Sequence, residues 1–202
     1  MIKLSILIPT TPDREVFLDK LLTDLGTQCD GIRFKIGHIS SILIYQMNND
    51  VEVIVYNDNK IVSIGDKRTI LLRISKGEYV SCIDSDDEIS RDYVSKIMKA
   101  TETNPDCCSL LGVYTVDGTD PVLFEHSIKY KEWKTNHPNN PIRYERSPNH
   151  LNAIKREIAV KYDFIPVNNG EDRDWSVRIM PELKTESYVD GVIYHYKYRT
   201  NK

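Results

Sequence analysis

Apolar positions along the chain follow two rhythms. Residues 4–8, 51–56 and 79–83 are short, nearly unbroken apolar runs, each closed by polar or turn-forming residues. Runs of that length suit strands buried on both faces of a parallel sheet. Between them the apolar residues recur at helical spacing. Val16, Leu18, Leu21, Leu22 and Leu25 follow Thr11-Pro12, a cap with proline at the first helical position, and continue to Gly26. Ile70, Leu71 and Ile74 follow Ser63, which has Asp66 three positions on as a capping-box partner, and Gly77 closes the segment. Tyr93, Val94, Ile97 and Met98 follow Ser90. Strand and helix alternating three times predicts an α/β fold, a mostly parallel sheet flanked by helices.

The second half reads differently. Residues 107–116 and 122–130 are strand-like, and 133–148, rich in Asn, Pro and His, predict a loop over a site. A helix is expected over 149–162, with Leu151, Ile154 and Ile158 on one face, and another from Glu171, after Asn168-Asn169-Gly170. Residues 188–198 are again strand-like. With no internal repeat or linker, the reading is one domain over 1–202, with a nucleotide-binding half (1–116) and a smaller mixed half (117–202) carrying acceptor and base.

Composition narrows the classes. A chain of 202 residues, 40% hydrophobic, buries a sizeable core and is not disordered. The net charge of −3, from 27 cations against 30 anions, gives no electrostatic case for nucleic acid or an anionic membrane surface. The apolar runs are too short to span a bilayer, and the first residues lack the cleavage site of a signal peptide. Cys29, Cys82, Cys107 and Cys108 make neither a disulfide framework nor a zinc spacing, so they are expected to be reduced core thiols of a cytoplasmic protein.

In an open α/β sheet, ligands bind beyond the carboxyl ends of the strands. Asp84-Ser85-Asp86-Asp87 stands at such an end, and three adjacent carboxylates repel one another unless a cation joins them. Carboxylate oxygens completed by phosphates and water suit Mg²⁺ or Mn²⁺. A solvated turn is the ordinary reading of an acidic triplet, but a turn needs no buried strand beneath it. Asp58 and Pro9-Thr10 end the two neighbouring strands, so three polar strand ends face one crevice, a layout that suits a nucleotide. There is no Gly-x-Gly-x-x-Gly and no Walker loop, which leaves Lys67 and Arg68 as cations for the phosphates. Glu171-Asp172 opens a predicted helix, where an acid either complements the helix dipole or serves as a proton acceptor. Trp175, one turn later, fits a sugar or acceptor pocket or the core equally well.

The runs Ser63-Ile64-Gly65-Asp66-Lys67-Arg68, Gly77-Glu78-Tyr79-Val80 and Ile83-Asp84-Ser85-Asp86-Asp87 resemble glycosyltransferase family 2, in order and in spacing. The opening Ile6-Leu7-Ile8-Pro9-Thr10, the Asn149–Arg156 segment and Gly170-Glu171-Asp172-Arg173-Asp174-Trp175 fit the same pattern, and Tyr194-His195-Tyr196 resembles the endings of small viral and bacterial members. The resemblance implies a GT-A fold and an inverting, metal-dependent transferase that uses a nucleoside diphosphate sugar, a UDP-sugar in particular, and a glycan or other hydroxyl acceptor. It assigns Pro9, Thr10, Asp58 and Arg68 to the uridine. Asp84 goes to ribose or metal, Asp86 to the cation that bridges the diphosphate, and Asp87 to support of the sugar site. It places the general base at Asp172, beside Glu171, and a further metal ligand at His195; His150 is expected to reach the diphosphate or sugar. Where the family commonly has Asp-Asp-Gly-Ser, this chain has Asn57-Asp58-Asn59-Lys60. Rival readings are a nucleotide-sugar-binding module without catalysis and a sugar-nucleotide pyrophosphorylase. The second normally needs a glycine-rich basic loop that Pro9-Thr10-Thr11-Pro12-Asp13-Arg14 does not provide.

Overall fold

Each of the three apolar runs forms a strand that opens a strand–helix unit. The computed structural model describes residues 1–29, 34–39 and 41–200. The chain begins with β1 (Leu4–Thr10), a 3-10 turn (Pro12–Arg14) and α1 (Glu15–Gln28). Next come β2 (Phe34–Ile39), β3 (Ile42–Gln46), β4 (Val51–Asn57) and α2 (Ile64–Ile74), then β5 (Tyr79–Cys82), β6 (Glu88–Ile89) and α3 (Tyr93–Thr101). The second half contains β7 (Cys107–Cys108), β8 (Leu110–Val116), β9 (Thr119–His126), β10 (Lys134–Thr135), β11 (Ile142–Arg146), β12 (Ile154–Lys155) and α4 (Arg156–Ala159). It ends with α5 (Glu171–Ile179), a 3-10 turn (Met180–Glu182), β13 (Glu186–Ser187) and β14 (Val192–Tyr198).

The larger sheet has the order β13-β7-β12-β5-β1-β4-β3-β2. Its centre is parallel: Ile6 lies opposite Val53 of β4 on one side and Ser81 of β5 on the other. Side chains of the buried central strands alternate between two cores, as the period of a strand requires. Leu4, Ile6, Ile8, Val53 and Val55 pack with Leu18, Leu22, Tyr93 and Ile97 of α1 and α3, while Leu7 and Ile54 pack with Leu71 of α2, Ile158 of α4 and Ile179 of α5. Ser63 caps α2 as its spacing predicts: its Oγ accepts from the Asp66 amide and donates to the Asp66 carboxylate.

The second sheet has the order β10-β11-β9-β8-β14-β6. Leu110, Phe124, Ile193 and Tyr194 from its strands belong to the same core cluster as Ile6 and Val53, so the two sheets share apolar packing. Gly112 lets β9 close on β8: a Cβ there would lie 2.2 Å from the Phe124 ring.

Three expectations need correction. The 133–148 segment is not a plain loop, because it carries β10 and β11, and β11 pairs with β9. The helix over 149–162 shrinks to α4. Ile154 is drawn into the large sheet opposite Val80 and Cys107, and the Asn149 and Asn152 side chains bind nearby backbone in place of helical hydrogen bonds. The large sheet is also more mixed than expected, since β2 and β3, unforeseen in the sequence, extend it antiparallel from β4. All four cysteines are buried, and none is in a disulfide. Among the described residues no helix is long and apolar enough to cross a membrane.

Candidate functional site

Because β1, β4 and β5 are parallel and neighbouring, their carboxyl ends deliver Thr10, Asn57-Asp58 and Asp84–Asp87 to one edge. Side chains bind these ends together. Thr10 Oγ1 donates to Ser85 Oγ at 2.9 Å. Lys67 Nζ, on α2, donates to the Thr10 carbonyl at 2.9 Å and pairs with Asp58, whose Oδ2 also accepts from the Val62 amide at 2.8 Å. Burial pushes the Asp58 carboxyl up, but Lys67 and the Val62 amide outweigh it and hold it below the usual carboxylate range. Lys67, expected as a phosphate cation, is instead buried, its charge consumed by Asp58.

Arg68 is the second tie. Its side chain is buried; Nη2 donates to Asp84 Oδ1 at 2.7 Å and Nη1 to Glu171 at the start of α5. Burial works against the guanidinium charge, and Asp84 and Glu171 more than restore it. Asp84 is likewise disfavoured by burial, yet Arg68 and then His150 hold its carboxyl well below the usual range. His150 Nε2 stands 3.8 Å from Asp84 Oδ2, and neither ring nitrogen has a hydrogen-bond partner among the described residues. Glu171 and Arg68 therefore face each other, not solvent. Next to them Asp172 stays half-buried in the first turn of α5, with Oδ1 on the Arg173 amide at 2.8 Å, close enough for its charge to act on Arg68. Gly170, at φ 86°, takes the left-handed conformation that turns the chain into this helix.

The other acids of the triplet diverge. Asp86 is held by two arginines: Oδ1 accepts from Arg14 at 2.8 Å and Oδ2 from Arg199 at 3.1 Å, while Arg199 Nη2 donates to the Asp86 carbonyl at 3.0 Å. Asp87 turns inward. Its oxygens accept from the Lys197 amide and the Tyr194 hydroxyl, both at 2.8 Å. Burial, then the charge of Asp84, pushes it up to about 8 against those two donors. It supports the loop through these inward bonds.

The fold also places His195 and Trp175. On β14, Tyr194 bonds to Asp87 and the charges of Asp84, Asp87 and Asp86 reach Tyr196. By strand alternation His195, between them, lies on the opposite face, in register with Glu88. Among the described residues no three His, Cys, Asp or Glu side chains form a metal-holding group. Trp175 is 2% exposed, stacked on Phe164 at 4.7 Å between ring centres, with Nε1 donating to the Tyr162 carbonyl. It is a core residue.

The remaining donors still suit a hard cation, which needs only one or two carboxylates when phosphates and water complete its shell. Asp84 and Asp86 share one loop. Arg14 and Arg199 escaped the sequence reading because nothing local distinguishes them, and Tyr194 was noted only as part of the Tyr194-His195-Tyr196 run, with no role assigned; all three reach the acids through the fold. Asn57 was read only as a departure from the family pattern. Its Oδ1 is buried with no partner among the described residues.

Comparison with known proteins accords with this layout. The sequence profile described as Glycosyl transferase family 2 matches residues 41–164. No curated protein matches the sequence. Crystal structures of S. aureus TarS superpose on the chain. The 1–349 fragment in complex with UDP-GlcNAc gives a TM-score of 0.68 at 16% identity, over 100% of this chain and 60% of that one. The same fragment with UDP gives 0.65 at 14%, over 97% and 60%. TarS itself gives 0.59 at 14%, over 97% and 37%. The chain thus spans about 60% of the length of these fragments, and at such identity the likeness shows the fold, which is GT-A. Profile and fold agree, and the chain belongs to glycosyl transferase family 2.

Proposed function

We propose that this chain moves a sugar from a nucleoside diphosphate donor, a UDP-sugar, to an acceptor hydroxyl with inversion. The observation that carries the reading is the Arg68 bridge: by holding Asp84 and Glu171 at once, it sets the strand-end acids beside the first turn of α5. Family membership and the UDP and UDP-GlcNAc complexes of TarS support it.

Pro9, Thr10, Asp58 and the unpartnered Asn57 Oδ1 line the place for the base, whose imide N–H is a donor that Asn57 lacks. Asp84 faces the ribose, with His150 beside it on the diphosphate side. Arg14 and Arg199, less buried than Lys67 and Arg68, supply the cations for the diphosphate by leaving Asp86 for it. A divalent ion, Mn²⁺ or Mg²⁺, held by Asp84 and Asp86, would neutralise charge building on the departing diphosphate. Asp172 accepts the proton of the acceptor hydroxyl. That oxygen forms its bond to the anomeric carbon from the face opposite the leaving group, and the bond to the diphosphate breaks to release UDP. Glu171 positions this turn through Arg68.

Calorimetric titration with UDP, with and without Mn²⁺, tests the donor side: binding is expected with Mn²⁺ and is lost in Asp86→Ala. Absence of binding in both conditions would remove the donor assignment. Asp172→Asn should lower turnover by about 10²–10⁴ while UDP binding persists, and undiminished turnover would take Asp172 out of the mechanism.

A further inference from the structure

The face of the second sheet that carries Tyr194 continues away from the acids as a row of aromatic rings. Tyr196 of β14 is in register with Tyr114 of β8, and their rings stack at 5.5 Å. Tyr144 of β11 meets Tyr114 edge-on at 5.4 Å. Arg146, two residues beyond Tyr144, lies 5.1 Å from the centres of both the Tyr144 and Trp133 rings. Arg143 stands over Tyr144 at 5.8 Å and Arg173 over Trp133 at 5.9 Å. The row is anchored at both ends. Tyr196 feels the charges of the strand-end acids, while Ser147, after Arg146, joins Trp133 Nε1 at 3.1 Å to Ser176 of α5 at 2.8 Å. Asp172 is close enough for its charge to act on Arg146.

Arginines cluster at the Tyr144–Trp133 end of this row. Among the described residues, Arg91, Arg143, Arg146, Arg156 and Arg173 have no carboxylate within ion-pairing distance, whereas Arg14, Arg68, Arg73, Arg178 and Arg199 do; three of the five unpaired arginines, Arg143, Arg146 and Arg173, belong to this row. Arg146 is half-buried, its Nη1 satisfied by the Lys134 and Glu145 carbonyls; burial and the neighbouring Arg173 both work against its charge. Arg143 is half-buried like Arg146 and Arg173 is exposed, and three cations gathered without acidic partners favour an anion from outside. The tyrosines are half-buried and packed against the core, with Tyr114 stacked on both Tyr196 and Tyr198, so the outward part of the row offers a glycan aromatic edges and hydroxyls.

We infer that Tyr114, Tyr144 and Tyr196, with Arg143, Arg146 and Arg173, form the acceptor subsite, and that the acceptor is an anionic glycan. This rests on the transferase reading, and it adds the chemical class of the second substrate. The glycan lies along the tyrosines with its negative groups on the arginines, and one hydroxyl reaches Asp172.

The test is equilibrium binding, followed through Trp133 fluorescence, of three probes: a polygalacturonate oligomer, its carboxyl-reduced neutral counterpart, and inorganic polyphosphate. The uronate oligomer should bind about tenfold more tightly than the neutral one, with the preference shrinking as salt rises. Arg143→Gln/Arg173→Gln should weaken the uronate by roughly tenfold, up to about fivefold per exposed charge, and leave the neutral probe alone. Tyr144→Leu should weaken both oligosaccharides. Equal binding of charged and neutral oligomers would overturn the inference. So would uronate affinity unmoved by the arginine changes, or polyphosphate binding as tight as the uronate and indifferent to Tyr144→Leu. UDP titration of the same samples reports the donor edge separately: failure there, with oligosaccharide discrimination intact, counts against the donor reading and supports this surface.

Discussion

A buried guanidinium must find its counter-charges inside the protein, and Arg68 takes one from the end of β5 and one from the start of α5. Removing it strands two carboxylates. Arg68→Met should lower stability by roughly 3–5 kcal/mol, the cost of an uncompensated buried charge, and Arg68→Met/Glu171→Gln should recover part of that in thermal melts. A melting point unchanged by Arg68→Met would mean the bridge holds nothing together. Asp87 gives the complementary pH signature. Its folded-state value of about 8 lies above the unfolded value near 3.9, so the folded state binds the proton more tightly. Stability is fully present below about pH 4 and declines as pH rises through 8. Asp87→Asn, which keeps an oxygen for the Lys197 amide, should flatten this decline between about pH 4 and 8, and an unaltered slope would show that Asp87 does not titrate there. The acids themselves were legible in the sequence because three carboxylates after an apolar run are conspicuous. Their partners were not: Arg14, Tyr194 and Arg199 reach Asp86 and Asp87 only through the fold.

Elements were legible where one physical cause acted alone. The runs that became β1, β4 and β5 are apolar because both of their faces are covered, and Ser63 with Asp66 marks a helix start by local hydrogen bonding. The segment over 149–162 misled because Leu151, Ile154 and Ile158 satisfy helical spacing as well as a strand followed by a single helical turn, and pairing with β5 and β7 decided between them. β11 is held by pairing with β9, and β10 at the sheet edge by pairing with β11, neither visible to any local pattern. Gly65 shows how such distant contacts fix the site. It lies in the first turn of α2, just before Lys67 and Arg68, and a Cβ there would stand 1.8 Å from the Ile165 carbonyl oxygen. The Gly65 amide also donates to the Val167 carbonyl at 3.1 Å, which fastens the approach to α5. Gly65→Ala must push the two segments apart and should cost about 1–3 kcal/mol. Because Arg68 reaches Glu171 across that contact, the loss should be smaller in an Arg68→Met background. Simple additivity of the two would show that the two contacts are independent.

At the scale of the whole molecule, the two ends of the chain meet on one carboxylate. Arg14 arrives from the turn after β1, and Arg199 from beyond β14, its guanidinium resting 4.6 Å from the centre of the Phe17 ring. Together they occupy both oxygens of Asp86, the residue assigned to the cation. Arginine and metal cannot both hold the same oxygens, so binding of a divalent ion to the free protein competes with these pairs. The competition can be measured without any turnover. In Arg199→Gln one Asp86 oxygen is released, and Mn²⁺ affinity in the absence of nucleotide should rise by up to about fivefold, the worth of one partly exposed ion pair. Arg14→Gln should act in the same direction. The effect should then reverse for the nucleotide: with Mn²⁺ saturating, UDP should bind the two variants more weakly, because each has lost a cation that the diphosphate would draw from Asp86. Titration followed by the Mn²⁺ paramagnetic signal separates the two halves of this exchange. Mn²⁺ affinity unmoved by either substitution would show that Asp86 is not where the ion binds, and the arginines would then be structural clamps that join the first turn of the chain to its last strand.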